Sequence, residues 1–335
     1  MFLEKLRGGY TPMRLATKAD IRYFRKRFAQ PEQNQLYGLY DGKEISMSYD
    51  SSFTGHNSNT LVICADSETA RNHYVIPNIL QGNHSALILD KDGKILIAYH
   101  KRLRELGGNV LTFDLNGPDK DINRLITSLN FKITDFASSR TYLFIKYDET
   151  DKAQQKLAGE LIIYLWQQLC LCADRCGTQE KPENLHHIQF YLSEFDGLGI
   201  PQLLWLAENR GHGMSVSYIT PNMSKLESEY SEQKILYVTT EFNMLLFMNI
   251  QNQHDYEIAS MCCGTYNTDL NGNRRTIEKA FAYAARKNME INISMQEHHV
   301  APVSEIQKAL ADNKMLIVPD FYNPIICDKL ICASI

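Results

Sequence analysis

Short apolar, often β-branched runs recur along the chain at 60–64, 85–89, 109–113, 140–147, 187–192, 214–220, 243–248 and 314–319. Each is too short for a buried helix and suits a strand covered on both faces. Between several of them, at 71–80, 94–106, 152–174, 201–209, 254–264 and 303–311, the spacing turns helical. Strand–helix alternation of this length predicts a largely parallel sheet with helices on both sides. The most regular helix is 152–174, where Leu157, Leu161, Ile162, Leu165, Leu169 and Cys172 fall three or four apart and make one stripe. Ahead of the first core strand, "LYGLYDGKEISMSYD" places Asp41–Gly42 at a hairpin turn. Residues 1–50 are therefore expected to form a basic arm and a small β unit, and residues 51–335 the main α/β domain.

Composition changes this picture little. A chain of 335 residues, 44% hydrophobic and 22% charged, is an ordinary globular one with room for a large core. It has no run of twenty apolar residues, and "MFLEKLRGGY" lacks the apolar centre of a signal peptide, so a cytoplasmic protein is expected. The eight cysteines show no paired CxxC spacing and read as reduced thiols rather than a zinc site.

Charge is less even. Residues 1–30 hold eight Lys/Arg against Glu4 and Asp20, while the whole chain has a net charge of −4. In "IRYFRKRF" the bases Arg22, Arg25, Lys26 and Arg27 are interleaved with aromatics. Such a segment could touch nucleic-acid phosphates or the anionic inner face of a membrane. The blander alternative is a helix with a solvated basic face and Tyr23, Phe24 and Phe28 turned inward.

In parallel sheets ligands sit at the carboxyl ends of strands, which directs attention to the loops 64–71, 89–94, 193–199 and 220–224. The first, "CADSETAR", stands where a phosphate loop GxxxxGK[ST] would be. Such a loop needs glycines so that backbone N–H groups can turn around the phosphates. It also needs a lysine to neutralise them and a hydroxyl for magnesium. Here Cys64 and Thr69 fall at the glycines, Ala70 at the lysine and Arg71 at the hydroxyl. Ala65 and Ser67 lie between, with Asp66 and Glu68 adding negative charge where a polyphosphate would sit. The third loop opens with Ser193–Glu194, where NTPases carry an Asp–Glu pair for the magnesium water shell and the attacking water. Only the Glu is present.

Other constellations are weaker. His186–His187 and His298–His299 are adjacent pairs, and neighbours on a strand point to opposite faces, so no metal is expected from them. "DLNGNRRTIE" begins like a calcium loop but lacks its sixth-position glycine and its last carboxylate. Ser193 has no GxSxG around it.

Taken in order, several segments resemble the TraG/TraD-type coupling ATPases of conjugation and type IV secretion. They are "PMRLATKADI", "LYGLYDGKEISM", "NTLVICADSETARNHYVIPNILQGNHSALILDKDGKIL", "FYLSEFDGLGIPQL", "GMSVSYITPNMSKLESEY" and "EFNMLLFMNIQNQHDYEIASMCCGTYN". The resemblance implies a RecA-like three-layer α/β sandwich, mostly parallel, with helices on both faces. The departures are as specific. The family's transmembrane region is absent, and its all-helical cap is missing or reduced to about 25 residues between 114 and 139. Thr220–Pro221 replaces a polar glutamine, and near the subunit-contact arginines Arg210 is present while His212 takes a second basic place.

The expectation is a coupling-type subunit or adaptor that binds protein partners of a secretion or conjugation apparatus without hydrolysing ATP. A true coupling ATPase could be one such partner. No catalytic residue and no cofactor are expected. Two alternatives stay open. One is nucleotide binding in an altered mode, with ATP–magnesium held around Arg71 and Glu194. The other is a DNA-binding accessory working through the basic arm.

Overall fold

The computed structural model describes residues 14–117, 121–128, 132–176, 186–193, 206, 213–229, 239, 241–268, 274–275, 296–311 and 313–331. In chain order the strands are β1 (Asn34–Tyr40), β2 (Lys43–Ser48), β3 (Thr60–Cys64), β4 (Ser85–Leu89), β5 (Asn109–Asp114), β6 (Thr141–Lys146) and β7 (Ile188–Ser193). They continue with β8 (Met214–Thr220), β9 (Met244–Met248), β10 (Thr265–Thr268), β11 (Arg274–Arg275), β12 (Gln296–His299), β13 (Lys314–Pro319) and β14 (Ile325–Asp328).

An 11-stranded sheet runs in the order β2-β1-β14-β13-β9-β3-β8-β7-β4-β6-β5. From β9 to β5 every neighbouring pair is parallel. The remaining strands, β13, β14, β1 and β2, extend it with antiparallel pairings. A 3-stranded sheet of β10, β11 and β12 stands apart in the pairing.

The continuous apolar runs have a simple cause. Alternate residues of each central strand feed two separate cores. Leu61, Ile63, Leu87, Phe190, Val216 and Leu245 point to one face, where Leu161, Ile162, Leu165 and Trp166 of the helix Lys152–Cys176 cover them. Val62, Cys64, Ala86, Ile88, Tyr191 and Leu246 point to the other. There they meet Tyr74 and Ile79, Ile21, Phe24 and Phe28 of the helix Lys18–Phe28, and Tyr37, Ile45 and Met47 of the β1–β2 hairpin. A strand buried on both sides has no solvent face, so most of these runs do not alternate; in β8 the polar positions Ser215 and Ser217 are buried and hydrogen-bonded instead. The result is three layers: helices, sheet, helices.

The hairpin is bound to the second core by polar groups as well. Asn78 imitates a strand residue. Its Oδ1 accepts from Leu36 N at 2.8 Å and its Nδ2 donates to Leu36 O at 3.0 Å. Beside it, buried Gln35 bonds Tyr74 and Ser217, and Tyr74 and Ser217 share a 2.7 Å hydroxyl contact.

The helix Lys18–Phe28 is closed at its start by a capping box, Thr17 with Asp20. It corrects one expectation: Phe24 and Phe28 are buried, but Tyr23 is 57% exposed. Tyr23 lies on the basic face and stacks on Tyr322, with centroids 6.4 Å apart. Between β5 and β6, where the resemblance places a cap domain, the described residues hold two short helices, Ile122–Ser128 and Ile133–Ser138. Among the described residues no helix is long and apolar enough to cross a membrane.

Candidate functional site

The connection from β3 to its helix is two residues long. β3 ends at Cys64, and helical structure begins at Ser67. Asp66 is the N-cap, and its carboxylate accepts from Glu68 N at 3.1 Å and from Thr69 N at 3.0 Å. Thr69 Oγ1 adds a third bond at 2.5 Å. That hydroxyl, with the two amides, holds the Asp66 carboxyl below the usual carboxylate range. The first free N–H groups of a helix are what a bound phosphate would use. Here the chain's own carboxylate has taken two of them.

The other phosphate-loop positions are as closed. Cys64 is a fully buried strand residue, and burial pushes its thiol up to about 11. Thr69 is already helical. Ala70, at the lysine place, has no exposed surface and faces the core shared with Val62 and Tyr74. Arg71 is the exception: it lines a cavity and pairs with Glu68 at 3.5 Å.

From Arg71 to Val75 the helix takes one π turn before resuming α geometry at Ile76–Leu80. Pro77 is the physical reason. It has no N–H to give to the carbonyl four residues back, and its ring crowds that carbonyl; the wider turn relieves both.

The cavity of about 650 Å³ opens at the carboxyl ends of β3, β4, β6 and β7. Its second wall is the loop after β4. Asp90 is buried there, with its carboxylate accepting from Ile95 N at 3.2 Å and Leu96 N at 2.8 Å. It thereby caps the helix Lys94–Glu105 from four residues upstream, across Gly93 at φ +68. Burial raises the Asp90 carboxyl above its ordinary value. A third wall, Tyr147–Thr150 after β6, was not among the loops that strand ends in the sequence pointed to. Glu149 in it receives Lys91 Nζ at 2.6 Å.

Six carboxylates (Asp66, Glu68, Asp90, Asp92, Asp148 and Glu149) thus share the cavity with three bases, Arg71, Lys91 and Lys94. Like charges brought close together repel, most strongly where they are withdrawn from water. Among the described residues a polyphosphate entering would meet more charge of its own sign than of the opposite sign, with the amides of Glu68, Thr69, Ile95 and Leu96 already taken by Asp66 and Asp90. These residues do not fit a phosphate cradle.

Ser193, at the Asp place of the acidic pair, ends β7 and borders this cavity. Glu194, Arg210 and His212 lie outside the described residues, as does most of the calcium-like run 269–278. The fourth loop, 220–224, turns away to its own partners: Thr220 Oγ1 donates to Asn222 O, and Met223 N to Asp255 Oδ1.

In the basic helix the four candidate bases divide. Arg25 is structural, reaching the carbonyls of Tyr40, Lys43 and Glu44 at the hairpin turn within 2.6–2.7 Å. Arg27 donates to Phe53 O at 3.3 Å and lies over the Phe28 ring. Arg22 and Lys26 are exposed and pair with no carboxylate among the described residues. His187 bonds Ser215 at 2.7 Å and is half-buried, with desolvation lowering its pKa to about 4, while His298 and His299 lie in β12. Among the described residues no group of three or more His, Cys, Asp or Glu is placed to hold a metal ion.

Asp66 as a cap is legible in "DSET", an acceptor followed by an acid in the first turn.

The geometry has known counterparts. The unbound monoclinic form of the bacterial conjugative coupling protein TrwBdeltaN70 matches at a TM-score of 0.61 and 11% identity, over 97% of this chain and 94% of that one. TrwB in complex with a non-hydrolysable ATP analogue matches at 0.56 and 12%, over 97% and 95%. TrwB with ADP and Mg2+ matches at 0.57 and 12%, over 96% and 94%. At such identities the likeness carries the fold alone, a RecA-like α/β sandwich, as the sequence implied. No protein of curated function matches by sequence. The family model described as "Type IV secretory system Conjugative DNA transfer" matches residues 115–332, about two thirds of the chain. The chain belongs to the type IV secretory system conjugative DNA transfer family.

Proposed function

We propose that this chain is a non-catalytic, coupling-protein-like subunit of a conjugation or type IV secretion apparatus, binding protein partners rather than turning over ATP. The observation that carries the reading is the Asp66 carboxylate seated on the amides of Glu68 and Thr69. The strand and helix of a nucleotide-binding unit are kept because they close the core, while the anion position between them is filled from within. The core-facing Ala70 and the acidic cavity support the same reading.

The test is ATP turnover and binding by the purified protein, with magnesium present. The expected result is no turnover and no rise in melting temperature, since a ligand that binds the folded state must stabilise it by mass action. Turnover that Glu194→Gln abolishes would overturn the proposal in favour of an altered nucleotide site around Arg71 and Glu194.

A second reading has its own observation: Arg22 and Lys26 stand one turn apart, exposed and in no ion pair among the described residues, although the Arg22 charge is felt by Asp41, with Tyr23 and Tyr322 stacked beside them. Bases beside an exposed ring, Tyr23, suit single-stranded DNA, whose phosphates and bases they engage separately. Binding should fall steeply with salt, and Arg22→Ala/Lys26→Ala should reduce the logarithmic salt slope by about 1.4, roughly 0.7 per lost phosphate contact. An unchanged slope would remove this reading and leave a solvated face.

A further inference from the structure

At the opposite end of the sheet, where β1, β4, β6 and β7 begin, lies a second cavity of about 550 Å³. Arg140, the residue before β6, lines it. Its Nη1 donates to Leu106 O, its Nε is buried without a partner, and among the described residues no carboxylate stands within ion-pairing distance of it. Arg140 is half-buried, and its Nε has lost its water without gaining a hydrogen-bond partner, which is unfavourable for a charged group.

The neighbours do not supply the missing charge. Among the described residues Glu32 is the one carboxylate in the lining, and it is exposed and unpaired with Arg140. Gln81 and Asn83 are committed to each other, at 3.2 Å, and to Asn78 and Asn34. Gln33 and His186 also line the cavity and have side-chain groups uncommitted among the described residues. Burial, then the Arg140 charge, lowers the pKa of His186, so near neutral pH its ring is uncharged and donates one N–H.

We propose that this cavity binds an oxyanion, a phosphate or carboxylate group, with Arg140 as its charge partner and Gln33 and His186 as additional donors. A planar guanidinium with open N–H groups is the side chain best matched to either anion. The site is separate from the cavity beside Arg71 and does not depend on whether that one holds nucleotide.

The experiment titrates the full chain with inorganic phosphate and, separately, with acetate, at constant ionic strength. Melting temperature and the ring resonances of His186 are followed together. The expected result is a saturable rise in melting temperature with at least one anion, accompanied by movement of the His186 resonances; the anion that saturates first identifies the chemical class. Arg140→Gln should weaken binding about tenfold or more, the loss of a charge-assisted bond. Gln33→Glu should do likewise by placing a tethered carboxylate at the cavity, and because Gln33 is exposed it leaves the fold undisturbed. If Arg140→Gln fails to fold, Gln33→Glu decides alone. No saturable response to either anion, a response that leaves His186 unmoved, or unchanged affinity in the folded variants would overturn the proposal.

Discussion

Two strand-to-helix crossings line one cavity at the carboxyl end of the sheet, and they solve one problem in opposite surroundings. After β3, Asp66 caps its helix from the N-cap position with its carboxylate near solvent. After β4, Asp90 caps the helix Lys94–Glu105 from upstream with its carboxylate buried. Each acid satisfies two backbone N–H groups. The difference is in what surrounds the charge. At Asp66 a hydroxyl and two amides stabilise the ionised form; at Asp90 burial opposes it. The fourth helical residue also differs: Ala70 is sealed in the core, while Ile97 is 74% exposed. An apparent nucleotide motif is therefore judged by which side chains its crossing turns inward, not by letters alone.

The contrast is open to attack by mutation. The largest effect is expected from Ala70→Lys, the change that would formally restore the phosphate-loop lysine. It forces a long, charged chain into a filled core and should cost about 3 kcal/mol or more in urea unfolding, without creating ATP binding. A stable variant that binds ATP would show that the crossing opens more easily than its packing indicates.

Next comes Asp90→Ala, which leaves two amides without partners at a buried site and should cost about 1–3 kcal/mol. Asp66→Ala removes the same number of backbone bonds in a solvated place and should cost about 1 kcal/mol, the ordinary worth of an N-cap. Equal losses would mean that burial does not separate the two acids. Ile97→Lys, at the position equivalent to Ala70, should change stability by no more than about 0.5 kcal/mol.

The same pair gives opposite pH dependence. The Asp66 carboxyl is held below its unfolded value, so its contribution is complete above the unfolded value and is lost as pH falls through the folded one. The Asp90 carboxyl is raised, so its folded form keeps its proton longer. Its stabilising effect is complete below the unfolded value and is lost as pH rises through the folded one. Urea midpoints measured across the carboxylate range should therefore lose their falling component in Asp90→Asn and their rising component in Asp66→Asn. Curves that shift in the same direction in both variants would contradict the assignment of charge environments.

Much of the frame was readable from the chain. The runs at 60–64, 85–89, 214–220 and 314–319 are β3, β4, β8 and β13 to the residue, because strands covered on both faces are mostly apolar and their few polar groups, such as Ser215 and Ser217, are buried and bonded. The helix predicted over 152–174 extends to Cys176, and its stripe is buried as read, with Cys172 at its edge. What escaped depended on distant residues. β14, "IICD", is four residues whose pairing is decided by β13. Tyr23 was placed inside by its neighbours' periodicity, but Tyr322, about 300 positions away, gives it a stacking partner at the surface. The third cavity wall is made by a loop with no motif, and Asp66 reads as an obstacle to phosphate until its hydrogen bonds show it to be a substitute for one.

The pairing of Asn78 with Leu36 reaches beyond packing. Because one amide side chain closes both backbone bonds of Leu36, the hairpin cannot detach without stripping a buried residue of the helix that follows β3. The two segments, forty residues apart in sequence, should then open as one cooperative unit. The Leu36 amide should exchange with solvent deuterium as slowly as the helix it leans on, and Asn78→Ala should release the hairpin to exchange by itself.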